Sequence, residues 1–262
     1  MFKLGFLGLG KMGSAILDGV LKVRIYKNYM VDFYAPSKDT QEKYKSIGLT
    51  LAKDERDLFA SSSIIILAVK PQKYDEIFAK LDGIDFSNKI IISLAPGKSI
   101  SCLKKVFKNA RIVRAMPNTA ASINKAVTTI AYENNEEIKE VYEIFACIGS
   151  CVIVKEERQI DELIPVNGSM PAYLFEFIKA FIECACEYGI DEETAKKLVV
   201  DTIMGSCELL LSSKENIDTL IDNVCSKGGT TIAGLNVLRN NNFRESIKAC
   251  YKACIEKASA LG

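Results

Sequence analysis

The chain has 262 residues, of which 48% are apolar and 26% charged, a globular composition long enough for one large domain or two modest ones. Its 34 basic and 33 acidic residues leave a formal net charge of +1. That balance argues against nucleic acid or an acidic membrane as partner, because these need a concentrated basic face. No histidine occurs, so a Ser-His-Asp triad, a Cys-His pair and a His-ligated metal are all excluded.

Taken in chain order, short apolar runs at Leu4–Leu7, Met30–Tyr34, Ile64–Val69, Ile90–Leu94 and Ile112–Arg114 read as strands. Helical patterns at Met12–Leu21 and Tyr74–Leu81 fill gaps between them. Such alternation implies parallel strands joined by right-handed crossovers, hence a doubly wound α/β sheet. A further strand is expected at Val127–Tyr132, a helix near Glu136–Ile148 and another strand at Cys151–Val154. After residue 156 strand signals stop. Tyr173–Tyr188, Glu192–Leu211 and Phe243–Leu261 have helical periodicity, with caps such as Asp191 and breakers such as Gly189. The expected division is a dinucleotide-binding domain over 1–156 and an all-helical domain over 157–262. In the latter, Met170, Leu174, Phe175, Phe177, Ile178, Phe181 and Ile182 make an apolar surface broader than one amphipathic face, which points to a subunit interface as well as a core.

Gly8-Leu9-Gly10-Lys11-Met12-Gly13 is a G-x-G-x-x-G between the first strand and first helix. In that setting the glycines give a tight turn, room for a pyrophosphate and close helix–strand packing. An NAD site usually carries an acidic residue at the end of the second strand. Asp32 stands at about the right distance but inside the strand, whereas Ser37 and Lys38 at the strand exit suit a 2′-phosphate. NADPH is therefore favoured, with NADH as the second choice, and a solvated turn is the bland reading of Ser37-Lys38. Two more segments follow strands at the edge where such sheets place ligands, Ala68-Val69-Lys70-Pro71-Gln72 and Arg114-Ala115-Met116-Pro117-Asn118-Thr119. Plain turn chemistry, with Pro71 and Asn118 starting helices, is the alternative there.

Far along the chain, Ser226-Lys227-Gly228-Gly229-Thr230-Thr231 leads into a helical pattern at Ile232, Leu235, Val237 and Leu238. A glycine turn feeding a helix N-terminus leaves backbone N–H groups facing outward, a setting for a carboxylate or phosphate. An ordinary hydroxyl-capped loop is the other reading.

The nine cysteines (102, 147, 151, 184, 186, 207, 225, 250 and 254) include no C-x-x-C pair, and no secretion signal precedes them. The i,i+4 pairs Cys147/Cys151 and Cys250/Cys254 could each share a helix face; buried reduced thiols are expected rather than a metal site. No apolar run approaches the roughly 20 residues that span a bilayer. A soluble cytoplasmic protein is expected.

The chain resembles pyrroline-5-carboxylate reductase along its whole length, through GFLGLGKMG, AVKPQ, RAMPNT, NGSMPAY and CSKGGTTIAGLNVL in that order. The resemblance implies an N-terminal Rossmann domain, an all-α dimerisation domain, and NAD(P)H-dependent reduction of a cyclic imine to proline, the last step of proline biosynthesis. It also implies an active site shared between subunits of a homodimer, and dimers that often assemble further. By position, Gly8, Leu9, Gly10, Lys11, Met12 and Gly13 line the pyrophosphate, and Ser37 lies near the 2′-phosphate. Ala68, Val69, Lys70, Pro71 and Asn118 border the nicotinamide. Ser226, Gly229, Thr230 and Thr231 match the loop that holds the substrate carboxylate, Thr231 as the catalytic hydroxyl beside the ring nitrogen; Glu157 and Asn223 match positions near the substrate. Three departures stand out: Lys227 replaces a family proline, Asn167-Gly168-Ser169 replaces Ser-Gly-Ser, and Met170 replaces a small residue.

An imine needs no strong base, so the expected mechanism is positioning: hydride donor over the imine carbon, carboxylate clamped by loop N–H groups. The nearest rival, a β-hydroxyacid dehydrogenase, shares GLGxMG but needs a lysine base soon after the second-domain glycine motif, and none occurs before Lys179. A non-catalytic NADPH-binding sensor is the rival from another class.

Overall fold

The computed structural model describes residues 2–23, 29–133 and 138–260. They form two compact units, residues 1–169 together with 254–262, and residues 170–253. The break thus falls after Ser169, beyond the expected 156/157 boundary.

The first unit is built on an eight-stranded sheet with spatial order β3-β2-β1-β4-β5-β6-β7-β8. Its strands are β1 (Phe2–Leu7), β2 (Tyr29–Tyr34), β3 (Thr50–Leu51), β4 (Ile64–Leu67), β5 (Ile90–Ser93), β6 (Arg111–Pro117), β7 (Ala126–Tyr132) and β8 (Gly149–Ile153). The central strands β4 and β5 read Ile-Ile-Ile-Leu and Ile-Ile-Ile-Ser, and every residue in them is buried. Such unbroken apolar runs are what a parallel strand covered on both faces requires. The two-residue alternation then sends Ile64, Ile66, Ile90 and Ile92 to one core, with Ile16, Leu17 and Phe145. Ile65, Leu67 and Ile91 go to the opposite core, with Leu58, Phe59, Tyr74 and Phe107. Helices α1 (Lys11–Lys22) and α6 (Lys139–Ala146) cover the first face, while α3 (Glu55–Ser61), α4 (Tyr74–Phe78) and α5 (Ile100–Lys104) cover the second.

One sheet expectation needs correcting. β6 and β7 pair antiparallel, Ala115 opposite Ile130. Their connection is a short 3₁₀ segment, Thr119–Ile123, closed by Asn124 at φ 57°, too short for the crossover a parallel pair demands. Several elements have no clear apolar period and appear only in the fold: α2 (Lys38–Ser46), β3, α3 and α5. The expected helix at Tyr74–Leu81 is shorter, Tyr74–Phe78, and a 3₁₀ turn at Pro71–Lys73 precedes it. The helix expected near Glu136 begins, among described residues, at Lys139, and Glu136 itself lies outside them. Cys147 and Cys151 share no helix face, since one ends α6 and the other sits in β8.

The first unit continues through α7 (Gln159–Glu162) and a 3₁₀ turn at Ile164–Val166. The second unit is wholly helical: α8 (Met170–Glu187), α9 (Glu192–Ser212), α10 (Ile217–Val224), α11 (Thr230–Asn240) and most of α12 (Phe243–Ser259). Asp191 and Asn216 cap α9 and α10 through Thr194 N–H and Thr219 N–H, at 2.9 Å each. Between Met170 and Ala253 only Ala195 is buried. Phe175, Leu198, Met204, Val224 and Val237 are each more than half exposed. Helices with this much bare apolar surface are not a finished core. They need a partner surface.

Candidate functional site

Strand order reverses between β1 and β4, and ligands of open α/β sheets bind outside the strand carboxyl ends at such a point. Here the strand ends line up in register: Leu7 lies beside Tyr34 and Leu67, Leu67 beside Ser93, and Ser93 beside Arg114. Two loops leave at the switch point, Gly8–Gly10 from β1 and Ala68–Lys70 from β4. The Gly8 N–H donates to Tyr34 O (2.9 Å) and the Ala68 N–H to Leu7 O (2.9 Å), which fixes both exits.

Each glycine of the first loop has a separate physical reason. Gly8 takes φ +90°, and a Cβ there would stand 2.6 Å from a methyl carbon of Val69. At Gly13 a Cβ would meet Gly8 O at 2.4 Å and the Ala68 Cβ at 3.0 Å. These two lock the helix and both loops together. Gly10 is different: a Cβ there meets nothing within 4 Å, and the residue is exposed. It is also the N-cap of α1, with no side-chain cap and no acidic residue in the first turn. Open space over uncapped helix N–H groups fits a pyrophosphate. Lys11 is exposed on the first turn, whereas Leu9 is 7% exposed in the core, so Leu9 can offer only its backbone; Met12 is partly buried against the same core.

Asp32 is removed as a ribose ligand. It is 3% exposed, ion-paired to Lys3 at 2.7 Å and accepting from Ser61 Oγ at 3.1 Å. Ser37 and Lys38 instead stand exposed at the start of α2, and Ser37 is an N-cap whose hydroxyl makes no cap bond.

The second loop is stiffened from below. Pro71 opens the 3₁₀ turn that runs into α4, and the buried Tyr74 hydroxyl shares a 3.0 Å hydrogen bond with Ser93 Oγ at the end of β5. Burial pushes the Tyr74 phenol up to about 12, so it stays neutral and pinned. Lys70 stands at the N-cap position of this turn without a side-chain cap bond, and it is exposed. Asn118 follows β6 and caps the Thr119–Ile123 turn through Ala120 N–H (3.1 Å). Both segments therefore start helical turns and lie at the sheet's ligand edge.

In the second unit, the turn after α10 takes Gly228 to φ +72°, and Gly229 N–H donates to Ser226 O (3.0 Å). A Cβ on Gly229 would fall 2.3 Å from Ser226 Oγ, so any larger residue would have to turn that hydroxyl away. Gly229 begins α11 without a side-chain cap, and no acid lies in the first turn. Ser226, Thr230 and Thr231 are all exposed there. The turn presents three hydroxyls and uncapped N–H groups, a binding edge for a carboxylate.

Comparison with known proteins divides the chain nearer the expected 156/157 boundary than the compact units do. Residues 157–261 match a family model described as pyrroline-5-carboxylate reductase dimerisation, and residues 3–97 match one described as NADP oxidoreductase coenzyme F420-dependent. The pyrroline-5-carboxylate reductase of Escherichia coli is 32% identical over 99% of this chain and 98% of its own. That of Methanosarcina acetivorans is 34% identical over 99% and 98%. The chain belongs to the pyrroline-5-carboxylate reductase family. Among solved structures, the Plasmodium falciparum pyrroline carboxylate reductase with NADP bound superposes with a TM-score of 0.88 at 31% identity, covering 100% of this chain and 98% of that one. The Streptococcus pyogenes enzyme gives 0.89 at 28% identity, over 99% and 98%. Reductive aminase from Aspergillus terreus shares only the fold, at 17% identity and a TM-score of 0.62.

Family membership accounts for the bare helices: they lie in the segment that matches the family's dimerisation model, and the protein dimerises through this helical part of the chain. Two positions carried over from the family are engaged within the chain. Glu157 belongs to the first unit, where its Oε1 accepts from Ile100 N–H (2.7 Å) and from buried Arg114 (3.1 Å). Asn223 donates to Glu215 Oε2 at 2.9 Å. Lys179 is paired with Glu183 at 3.6 Å on α8, not poised as the base a hydroxyacid dehydrogenase needs.

Two polar groups have partners that the sequence reading did not give them. Arg114 is 2% exposed and bridges Glu157 and Asp161 (2.8 Å), while Asp161 also accepts from Gly97 N–H at 3.0 Å. The network ties the loop after β5 to the end of β6. A charged residue inside the apolar run Ile112–Ala115 was its signal, because a buried guanidinium demands carboxylate partners. The other is Asn167, 6% exposed, which had shown only as a departure from a family serine.

Proposed function

We propose that the protein reduces 1-pyrroline-5-carboxylate to L-proline with NADPH as hydride donor. The match along the whole chain carries this reading, because a dinucleotide crevice by itself serves many dehydrogenases. NADPH, when bound, supplies the hydride. The crevice at Gly8–Gly13 and Ala68–Pro71 holds it through backbone N–H groups, with Ser37 and Lys38 on the 2′-phosphate. Ser226, Gly229 and Thr230 clamp the substrate carboxylate through hydroxyls and uncapped α11 N–H groups, and Thr231 orients the ring nitrogen. The iminium charge disappears as proline forms, so solvent exchange supplies the proton and no histidine is needed. Dimers assembling further, and a cytoplasmic setting consistent with nine cysteines lacking any C-x-x-C pair, complete the proposal.

The direct test is NADPH oxidation with 1-pyrroline-5-carboxylate beside a panel of β-hydroxyacids. Turnover with the imine alone supports the reading. Turnover with a hydroxyacid, or NADPH binding without turnover, rejects it. At the carboxylate loop, Thr231→Ala is expected to lower kcat/KM for the imine by about 1–3 kcal/mol while leaving NADPH affinity intact. An imine lacking the carboxylate should be a poor substrate for the wild type. A variant that loses NADPH but keeps its imine kinetics would reassign the loop to the cofactor.

Cofactor choice has its own test. Lys38→Ala should weaken NADPH by about 1–2 kcal/mol and leave NADH almost untouched, since only NADPH carries the phosphate. Equal losses for both would take Lys38 off the 2′-phosphate.

A further inference from the structure

Behind the second half of the crevice lies a chain of side-chain amides that begins and ends on backbone. Asn167 Nδ2 donates to Met116 O at 2.7 Å. That bond turns Asn167 Oδ1 toward Asn118, whose Nδ2 donates to it at 3.1 Å. Asn118 Oδ1 is left to accept from Ala120 N–H, also at 3.1 Å. A backbone carbonyl at one end and a backbone N–H at the other thus dictate which way round both amides point. Flipping either would set N–H against N–H or oxygen against oxygen.

Asn167 is held firmly enough to act as the fixed end. It is buried, and its own N–H is shared between Leu163 O (3.0 Å) and Ile164 O (3.3 Å) in the turn before α8. Asn118, by contrast, sits on the loop leaving the carboxyl end of β6, at the ligand edge of the sheet. An amide nitrogen has two N–H groups. Asn118 spends one on Asn167 and has the other for a ligand.

We infer that Asn167 is a positioning residue for the cofactor: it fixes the orientation of the Asn118 amide, and through it the nicotinamide that Asn118 borders. The inference rests on reading the crevice as the NADPH site. Catalysis by pre-organisation is sensitive to such a strap, because sub-ångström looseness at the reacting ring erodes the near-attack geometry without loosening the distant pyrophosphate. A serine at this position is too short to span from Met116 O to the Asn118 amide, so the strap belongs to this chain's asparagine.

The test compares wild type, Asn167→Leu, Asn118→Ala and the double variant, with the isosteric Asn167→Asp in reserve should the leucine variant fail to fold. The aspartate keeps an acceptor for Asn118 but cannot donate to Met116 O. Two readouts are taken: the fluorescence lifetime of NADPH in the binary complex with no imine present, and the single-turnover rate of hydride transfer. Removing the strap should bring the bound lifetime toward that of free NADPH and slow hydride transfer about tenfold, with the NADPH dissociation constant within about threefold of wild type. Because Asn167 acts through Asn118, the double variant should be no slower than the slower single one. Additive losses of about a hundredfold, or an unchanged lifetime in the Asn167 variant, would show a scaffold role only and overturn the inference. Wild-type protein that binds no NADPH would overturn the crevice reading as well. Wild type that binds and turns over normally while the variant matches it overturns only the role of Asn167.

Discussion

Gly10→Val is expected to cut NADPH affinity by about tenfold or more, at least about 1.4 kcal/mol, while the fold persists. The asymmetry among the three loop glycines is the reason. Gly10 has no neighbour within 4 Å for a new side chain to strike, and its backbone, φ −72° and ψ −167°, suits any residue. A branched side chain therefore occupies only the space over the α1 N-terminus, where the pyrophosphate should pass, at a capping cost of about 1 kcal/mol or less. Gly13→Ala is the contrasting variant. Its Cβ would press to 2.4 Å from Gly8 O, so the protein itself should be destabilised by about 2 kcal/mol or more. Titration of NADPH fluorescence together with urea unfolding separates the two effects. A folded Gly10→Val protein with wild-type affinity would take the pyrophosphate away from this loop.

The second large effect is expected at the bare helices. Leu198→Asp and Val237→Asp, introduced together, should abolish the dimer at micromolar concentration and with it most of the activity. In the single chain these residues are 61% and 60% exposed, so little packing within the chain is lost by changing them. Were the second unit content as a monomer, added surface charge would be harmless, within about 0.5 kcal/mol. In a dimer interface each uncompensated carboxylate costs about 3–5 kcal/mol. Because Ala195 is the single buried residue from Met170 to Ala253, loss of the partner should also melt the helices. Sedimentation velocity and far-ultraviolet circular dichroism read the two outcomes. A dimeric, fully helical double variant would place the interface on other faces of these helices.

Much of this molecule is local and was therefore legible in the order of its residues. The all-buried runs Ile64–Leu67 and Ile90–Ser93 announce central strands. The spacing of Gly8, Gly10 and Gly13 announces the turn, because φ and close approach are properties of a few consecutive residues. The same holds for the turn at Gly228-Gly229 and for the broad apolar stripe of α8, although the core share expected of that stripe is absent, since no residue of α8 is buried within the chain. What escaped is what depends on partners distant in the chain. Lys38–Ser46 has too little apolar period to declare itself, and it is helical because Tyr44 packs into the core against Phe33, with ring centroids 5.7 Å apart.

The candidate site divides along the same line. Sequence by itself determined the residue types: glycines at the two turns, hydroxyls before a helix, no histidine anywhere, and hence a chemistry of positioning. It left Asp32 and Ser37-Lys38 as rivals for the ribose, since both lie within a few residues of the strand end. Only the tertiary structure sets their surroundings apart, giving Asp32 to Lys3 and Ser61 and leaving Ser37 and Lys38 in the open. It likewise gave Glu157 to Arg114, across 43 residues of chain, and Asn118 to Asn167, across 49. Backbone conformation and periodicity are set by neighbours in sequence, whereas a buried polar group is defined by the group that satisfies it, and that pairing exists only once the sheet has assembled.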